Sequence, residues 1–535
     1  MTQTVSYQNL NPLTFLERSA FVYPDKTAII YNDKTYTYSD FSNRVRQLAG
    51  ALAKAGVKKG DKVAFLVPNI PPMLEGHFGP LRLGAVLVAL NTRLSARELG
   101  YILNHSEAKV LIFDSELAPV VRNFKNDVPG IETYVQVVDV EPKADDIPGP
   151  DYESFLKSAG SEDHKVELNS ELDTIAINYT SGTTGMPKGV EYHARGAYLA
   201  SIGEILEMGI SWRSNYLWTL PMFHCNGWCF TWGVTAAAAT HVCLRRVDPE
   251  QVYHLIREKH VTNMCSAPTV LTSLYSSPIA KDQDLSGLTI GTAGAPPAPH
   301  VIRTIEGMGA RILHLYGLTE TYGPHTICAE QPSWDSLPTD ELAILKSRQG
   351  VSFIMTEPGL RVVDENMKDV KRNGEAIGEV VMRGNNVMTG YFKDPEVTSK
   401  VFEGGWFHSG DLAIWHPDGY IELRDRAKDV IISGGENISS QEVEKVVMEH
   451  PSVLEVCVVG VPDDKWGEAV KAFVVPEPGS TATSEEIINF CRDRIAHFKC
   501  PKYIEFGDLP KTATGKIQKF LLREKEWQGY DKRIH

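Results

Sequence analysis

The segment Tyr179-Thr180-Ser181-Gly182-Thr183-Thr184-Gly185-Met186-Pro187-Lys188-Gly189 constrains this chain more than any other stretch. It follows an apolar, β-branched run at 174–178 and gathers four hydroxyls, three glycines and one lysine into a single loop. Glycine-freed backbone N–H groups, neighbouring hydroxyls and a flexible cation are what a loop needs to wrap a polyphosphate. The spacing is not that of a Walker A loop, because Lys188 lies between Pro187 and Gly189. On composition alone, a Ser/Thr/Gly surface turn remains an open reading.

The runs Val63-Ala64-Phe65-Leu66-Val67 and Val110-Leu111-Ile112-Phe113, like 174–178, are short, rich in β-branched residues and followed by turn residues. Amphipathic segments alternate with them, which predicts an α/β architecture of buried parallel strands. At 535 residues the chain holds more than one packed unit. Ser439 and Glu442 stand at capping-box spacing before Val443, Val446 and Val447, and Pro451 ends that helix. Strands follow at 453–459 and 471–475. Thr483 and Glu486 then open a second helix running through Ile487, Phe490, Ile495 and Phe498. The charged stretch 423–429 before this small unit reads as a domain boundary.

The net charge of −14 sets the overall field against nucleic acid and anionic lipid, so any phosphate must be held locally. Eight cysteines without a C-x-x-C pair suit a reducing compartment. His224, Cys225 and Cys229 lie close in sequence but lack the second pair that a zinc site needs. The apolar stretches 83–90 and 232–239 fall far short of the roughly 20 residues that span a bilayer. With no basic start before an apolar core at the N-terminus, a cytoplasmic protein with no integral membrane segment is expected.

Further blocks accompany the loop: Gly294-Ala295-Pro296-Pro297, Tyr316-Gly317-Leu318-Thr319-Glu320, Gly378-Glu379-Val380 with Gly390-Tyr391, Trp406-Phe407-His408-Ser409-Gly410-Asp411, Arg426-Ala427-Lys428-Asp429, Gly434-Gly435-Glu436-Asn437-Ile438 and Pro510-Lys511-Thr512-Ala513-Thr514-Gly515-Lys516. In this order they resemble the signatures of the adenylate-forming superfamily, which includes acyl-CoA synthetases, luciferases and peptide-synthetase adenylation domains. The overall similarity is to AMP-forming short- and medium-chain acyl-CoA synthetases. The resemblance implies a large N-terminal domain of two helix-flanked sheets plus a small β-barrel at 1–424, with subdomains near 1–172, 173–345 and 346–424. A hinge at 425–428 and a small mobile α/β domain at 429–535 would follow.

The reaction it implies joins a short- to medium-chain or aryl acid to AMP, using MgATP, and then to coenzyme A. Butyrate-like, methylmercaptopropionate-like and benzoate-like acids are the expected substrates, although Asn437 stands where the family often carries Trp. Thr180, Ser181, Gly182, Thr183, Thr184 and Lys188 would cradle phosphate, with Gly294, Ala295, Pro296 and Gly317 beside the nucleotide. The Tyr316 ring would pack on adenine, Thr319 would bond a phosphate oxygen, and Glu320 would hold Mg²⁺. Asp411, in a turn-like segment, would accept the ribose hydroxyls with Arg426 beside it.

Lys516 would bridge the substrate carboxylate and the α-phosphate, and Lys428 occupies the hinge position. Ser433, Gly434, Gly435 and Glu436 would line the pantetheine tunnel, with His224 at its mouth or, equally, a satisfied core histidine. Trp228, Tyr322, Gly323 and Gly294 would wall an apolar or neutral acyl pocket. A luciferase-like oxygenase and a non-catalytic nucleotide-binding regulator share many of these features. A homodimer is compatible with the sequence.

Overall fold

The computed structural model describes residues 6–180, 186–426, 429–433, 436–463, 465–512 and 516–528, with Asn437 described in its backbone only. Of the residues singled out above, Ser181, Gly182, Thr183, Thr184, Lys428, Gly434 and Gly435 lie outside these ranges.

Two large sheets carry the N-terminal part. A nine-stranded sheet has a parallel centre built from Thr27–Tyr31, Thr240–Val242, Asn215–Leu217, Asn263–Ser266, Thr289–Thr292 and Arg311–Leu318. A six-stranded sheet runs parallel through Thr133–Val137, Ala108–Asp114, Lys62–Leu66, Val86–Ala89 and Thr174–Tyr179, and ends on antiparallel Gly189–His193. Such strands are covered on both faces, which is why they read as continuous apolar runs. The helices start where the sequence offers caps. Thr37 with Asp40 and Ser95 with Glu98 form reciprocal capping boxes before Tyr38–Lys54 and Ala96–Ser106.

Where the small barrel is expected lies a four-stranded antiparallel sheet, Leu360–Val363, Ile377–Met382, Phe407–Trp415 and Ile421–Arg426, whose last strand is bridged from Ile421 to Gly350. Sheet membership changes after Arg426. Ile431–Ser433, Glu436–Ile438, Val453–Asp463, Gly467–Pro476 and Tyr503–Phe506 make a separate C-terminal sheet. Ser439 caps the helix Ser440–Met448 as its spacing predicts. The next helix, Ser484–Arg492, is shorter than expected: Ile495 lies beyond it, and Phe498 is exposed in a separate short turn.

Two kinds of titratable group sit inside this framework. Arg245, just past the strand Thr240–Val242, donates to Asp114 at 2.7 and 2.9 Å, to Asp139 at 2.8 Å and to Glu116 at 2.6 Å, stapling the two large sheets together. His77, His241, His314 and His325 are among the buried histidines, and burial pushes their rings down to about 4, 3, 4 and 4.

Two outcomes are expected. Arg245→Met leaves buried carboxylates without their cation and lowers stability by about 3–5 kcal/mol, read as a drop in the denaturant midpoint. The histidines stay neutral in the fold while the unfolded chain protonates near pH 6.5, so the unfolded state binds more protons below that pH. Stability therefore falls as pH drops from 7 to 5, before most carboxylates titrate. A flat denaturant midpoint across that window would contradict this reading.

Candidate active site

The carboxyl ends of the parallel strands meet the four-stranded sheet at Asp411. Its Oδ2 accepts from the Tyr316 hydroxyl at 2.7 Å, and its Oδ1 forms an ion pair with Arg426 Nε at 3.0 Å. Asp411 and Arg426 face each other across neighbouring strands, and Tyr316 lies in Arg311–Leu318. Asp411 is therefore not in a turn, as Gly410 suggested, but inside the strand Phe407–Trp415. The left-handed φ of +71° at Gly410 belongs to an irregularity within that strand. Gly410 N donates to Glu379 Oε1 at 2.9 Å and Ser409 Oγ to the Val380 carbonyl at 2.6 Å, which fixes the carboxylate's direction. Burial pushes the Tyr316 phenol well up, and the Asp411 charge adds to it. The same charge raises Arg426, which stays a cation.

A second cluster sits on the single 3₁₀ turn Thr319–Thr321. Tyr391 donates to Glu320 Oε1 at 2.8 Å, and Lys188 Nζ lies 5.0 Å from the Tyr391 ring centre. Lys188 belongs to the connection between Thr174–Tyr179 and Gly189–His193, whose ends are tied by the Thr180 N–H to the Lys188 carbonyl at 3.0 Å. The Tyr192 hydroxyl holds the Thr319 carbonyl at 2.6 Å. Gly317 allows the backbone to double back here, since a Cβ would stand 1.9 Å from the Gly323 carbonyl oxygen. Gly294, with φ +90°, leads Ala295 and Pro296 away from the carboxyl end of Thr289–Thr292.

The third part is strained. Cys225, Asn226, Gly227, Trp228 and Cys229 have φ of 50°, 52°, 61°, 51° and 63°, a full left-handed turn containing one glycine. Asn226 Nδ2 donates to Asn178 Oδ1 at 2.7 Å, Asn178 Nδ2 donates to the Phe223 carbonyl at 2.9 Å, and Thr231 Oγ1 caps the Asn226 carbonyl at 3.0 Å. The turn presses Trp228 against Gly323, where a Cβ would lie 2.9 Å from the tryptophan Cβ. Tyr322 closes the other side, stacked on Tyr192 at 4.0 Å.

His224, immediately before the turn, is pushed down to about 4 by burial and then by the charge of Lys516. The C-terminal unit thus brings Lys516 within charge reach of His224, and the Thr512 N–H donates to the Lys516 carbonyl at 2.7 Å. Burial also lifts the Cys225 thiol to about 12; hydroxyls of Thr319 and Tyr192 oppose that, while the Glu320 charge adds to it. Ser433 and exposed Glu436 pair across the short hairpin of the C-terminal sheet.

Asp411, Arg426 and Tyr316 are therefore one cluster, Glu320, Thr319 and Lys188 a second, and His224, Trp228, Tyr322 and Gly323 a third. Two contributors were missed in the sequence. Tyr391 stood inside a quoted block without a role, and Asn178 was read only as the end of a strand.

A model of the AMP-binding enzyme family matches residues 16–392, and one of the AMP-binding enzyme C-terminal domain matches 442–516. A 4-hydroxybutyrate–CoA ligase of Metallosphaera sedula is 45% identical over 97% of this chain and 94% of its own length. A peroxisomal acetate/butyrate–CoA ligase of Arabidopsis thaliana is 43% identical over 97% and 95%. The crystal structure of the anthranilate CoA ligase AuaEII with anthranoyl-AMP superposes with a TM-score of 0.86 at 26% identity, covering 98% of both chains. The chain belongs to the AMP-binding enzyme family, as one of its AMP-forming acyl-CoA synthetases.

Proposed function

We propose that this acid–CoA ligase acts on short-chain carboxylic acids and that Lys516 drives its first half-reaction. The carrying observation is Lys516, delivered by the C-terminal unit to within charge reach of His224. In the first step a carboxylate oxygen attacks the α-phosphorus of ATP and the bond to pyrophosphate breaks. In the second, the coenzyme A sulfur attacks the acyl carbon, the bond to AMP breaks, and the thiol proton is lost.

In this reading Asp411 and Arg426 hold the ribose, and Tyr316, anchored through its hydroxyl, offers its ring face to adenine. Lys188 and the loop 180–184 take the phosphates. Lys516 stabilises the charge building between carboxylate and α-phosphate. Among the described residues no three His, Cys, Asp or Glu side chains gather into a metal-holding group. Glu320 alone suits Mg²⁺, which takes most of its ligands from water and phosphate oxygens; bound there, the ion would neutralise charge on the departing pyrophosphate. Tyr391 aims the Glu320 carboxylate from one oxygen, leaving the other for that contact.

His224 stays neutral at working pH, immediately before the turn that carries Trp228 and within charge reach of Lys516. For the thiol to reach the carbonyl, Lys516 must withdraw, so the domain 429–535 turns about 425–428 and brings 433–436 to the tunnel. Trp228, pressed on Gly323, shortens the acyl pocket, and relatives named for acetate, butyrate and 4-hydroxybutyrate agree with short acids. All eight cysteines are free and buried, which fits a reducing compartment such as the cytoplasm.

Lys516→Ala is expected to lower acid-dependent pyrophosphate release by about 10²- to 10³-fold, while thioester formation from supplied acyl-adenylate and coenzyme A stays within a few-fold of wild type. Single-turnover measurement of each half-reaction checks this. An equal fall in both steps would remove Lys516 from its assigned role.

A further inference from the structure

The Tyr179 side chain spans both flanks of the loop assigned above to the phosphates. Tyr179 pairs with Gly189 across the antiparallel strands Thr174–Tyr179 and Gly189–His193, and a Cβ on Gly189 would stand 3.0 Å from Tyr179 Cζ and 3.2 Å from its hydroxyl oxygen. The ring therefore lies over the residue that follows Lys188, where only glycine fits. Past Gly189 the phenol reaches His105. Its hydroxyl lies 2.8 Å from His105 Nδ1, and the Ser106 side chain adds a further hydrogen bond.

His105, in the last turn of the helix Ala96–Ser106, is held by three rings. Tyr101 stacks on it with centres 5.4 Å apart, while Tyr179 and Phe392 meet it edge-on, each at 5.8 Å. Burial and the Lys393 charge push the imidazole down, so at neutral pH Nδ1 accepts from the phenol.

Phe392 brings in the segment that carries Tyr391. Its N–H donates to the Gly189 carbonyl at 2.7 Å, the Glu191 N–H donates to the Gly390 carbonyl at 3.0 Å, and Val190 is bridged to Tyr391. Residues 389–392 thus lie along Gly189–His193 as an added edge. Held there, Tyr391 donates to Glu320 and offers its ring to Lys188. Lys393 closes the assembly, donating to the His105 carbonyl at 2.9 Å and pairing with Glu107 at 2.8 Å. Glu107 and Lys393 both take a left-handed φ, 57° and 58°, without being glycine. Strain of that kind persists only where the surroundings impose it, which marks the junction as tightly specified.

We propose that His105 is a positioning residue for the ATP phosphates: through Tyr179 and Phe392 it fixes the flanks of the loop, and with them Lys188, against the segment from which Tyr391 aims Glu320. This rests on the ligase reading and extends it to a side chain whose effect passes through its neighbours. The groups assigned to adenine and ribose, Tyr316, Asp411 and Arg426, stand on other strands. The part of the nucleotide that His105 governs is therefore the part that AMP lacks.

The test is calorimetric binding of MgATP and of AMP to the full chain, in wild type, His105→Phe, Tyr179→Phe, the double variant and His105→Asn. His105→Phe keeps a ring and loses the acceptor; His105→Asn keeps an acceptor close to the same position. His105→Phe and Tyr179→Phe should each weaken ATP binding by about 3- to 10-fold, the worth of one net hydrogen bond, with AMP binding within about twofold of wild type. The double variant should bind ATP no worse than the weaker single one, because both remove the same bond, and His105→Asn should recover part of the loss. In turnover, KM for ATP rises in the same variants and KM for the acid does not. Unchanged ATP binding in both single variants, an equal loss for ATP and AMP, or additive losses in the double variant overturns the positioning role and leaves the ligase reading standing. Should His105→Phe not fold, Tyr179→Phe, which removes a single oxygen atom, decides by the same ATP-to-AMP ratio. A wild type that binds neither nucleotide overturns the ligase reading, and the role of His105 with it.

Discussion

The carboxylate of Asp411 is bonded from two sides, by a phenol from the large parallel sheet and by a guanidinium from the neighbouring strand of the small antiparallel one. Remove it and the buried Tyr316 loses its acceptor while the partly buried Arg426 loses its counter-ion. Breaking such a pair on one side costs far more than the pair itself contributes. The carboxylate is thus a structural joint before any nucleotide arrives. Arg426 is also the last residue of the strand Ile421–Arg426, before the chain passes to the C-terminal sheet. The side chain proposed to contact the ribose is therefore also the one at the start of the proposed interdomain segment.

Other bonds reinforce that crossing. Lys445 of the C-terminal unit donates to Glu422 at 2.7 Å, and the Ser440 N–H donates to Asp425 Oδ2 at 2.7 Å. Burial raises the Glu422 carboxyl, but the hydrogen bond from His416 and the charges of Lys445 and Arg424 outweigh it and hold the group well below the usual carboxylate range. The observed arrangement, with Lys516 inward, is stabilised by ion pairs that a turn of the small domain would have to exchange for others. Ion pairs suit that purpose better than apolar contact, because their partners are readily replaced by water at the surface.

How much of this could be read from residues depends on whether the signal was local. The loop proposed to hold phosphate stood out because its composition has few uses, and the strand expected before it does end at Tyr179, while the strand that begins at Gly189 was not foreseen. The helix caps at Ser439 and Thr483 were legible for the same reason. Gly410 misled because glycine marks both turns and irregular strand positions; the choice between them was made by Glu379 and Val380, far away in sequence. Apolar spacing carried the helix after Thr483 too far, because Phe498 satisfies the period yet has nothing to pack against. His105 carried no signal at all. A histidine in the last turn of a helix reads as a favourable charge at its carboxyl end, and only the tertiary fold brings Tyr179 and Phe392 around it.

The left-handed turn after His224 shows what such a site demands of its scaffold. Non-glycine residues in this conformation cost roughly 1–2 kcal/mol each, and four of them follow one another around Gly227. Strain of that kind persists only where the surroundings over-determine it. Here Asn178, at the threshold of the phosphate loop, bonds both Asn226 and the Phe223 carbonyl, so the strand that leads into the phosphates also fixes the turn that carries His224 and Trp228. The consequence is a rigid distance between the nucleotide end and the acyl wall. With a net charge of −14 the molecule cannot draw anionic substrates by its overall field. In the proposed reading Lys188, Arg426 and Lys516 supply the positive charge from three separate elements, and of the three only Lys516 belongs to the C-terminal unit.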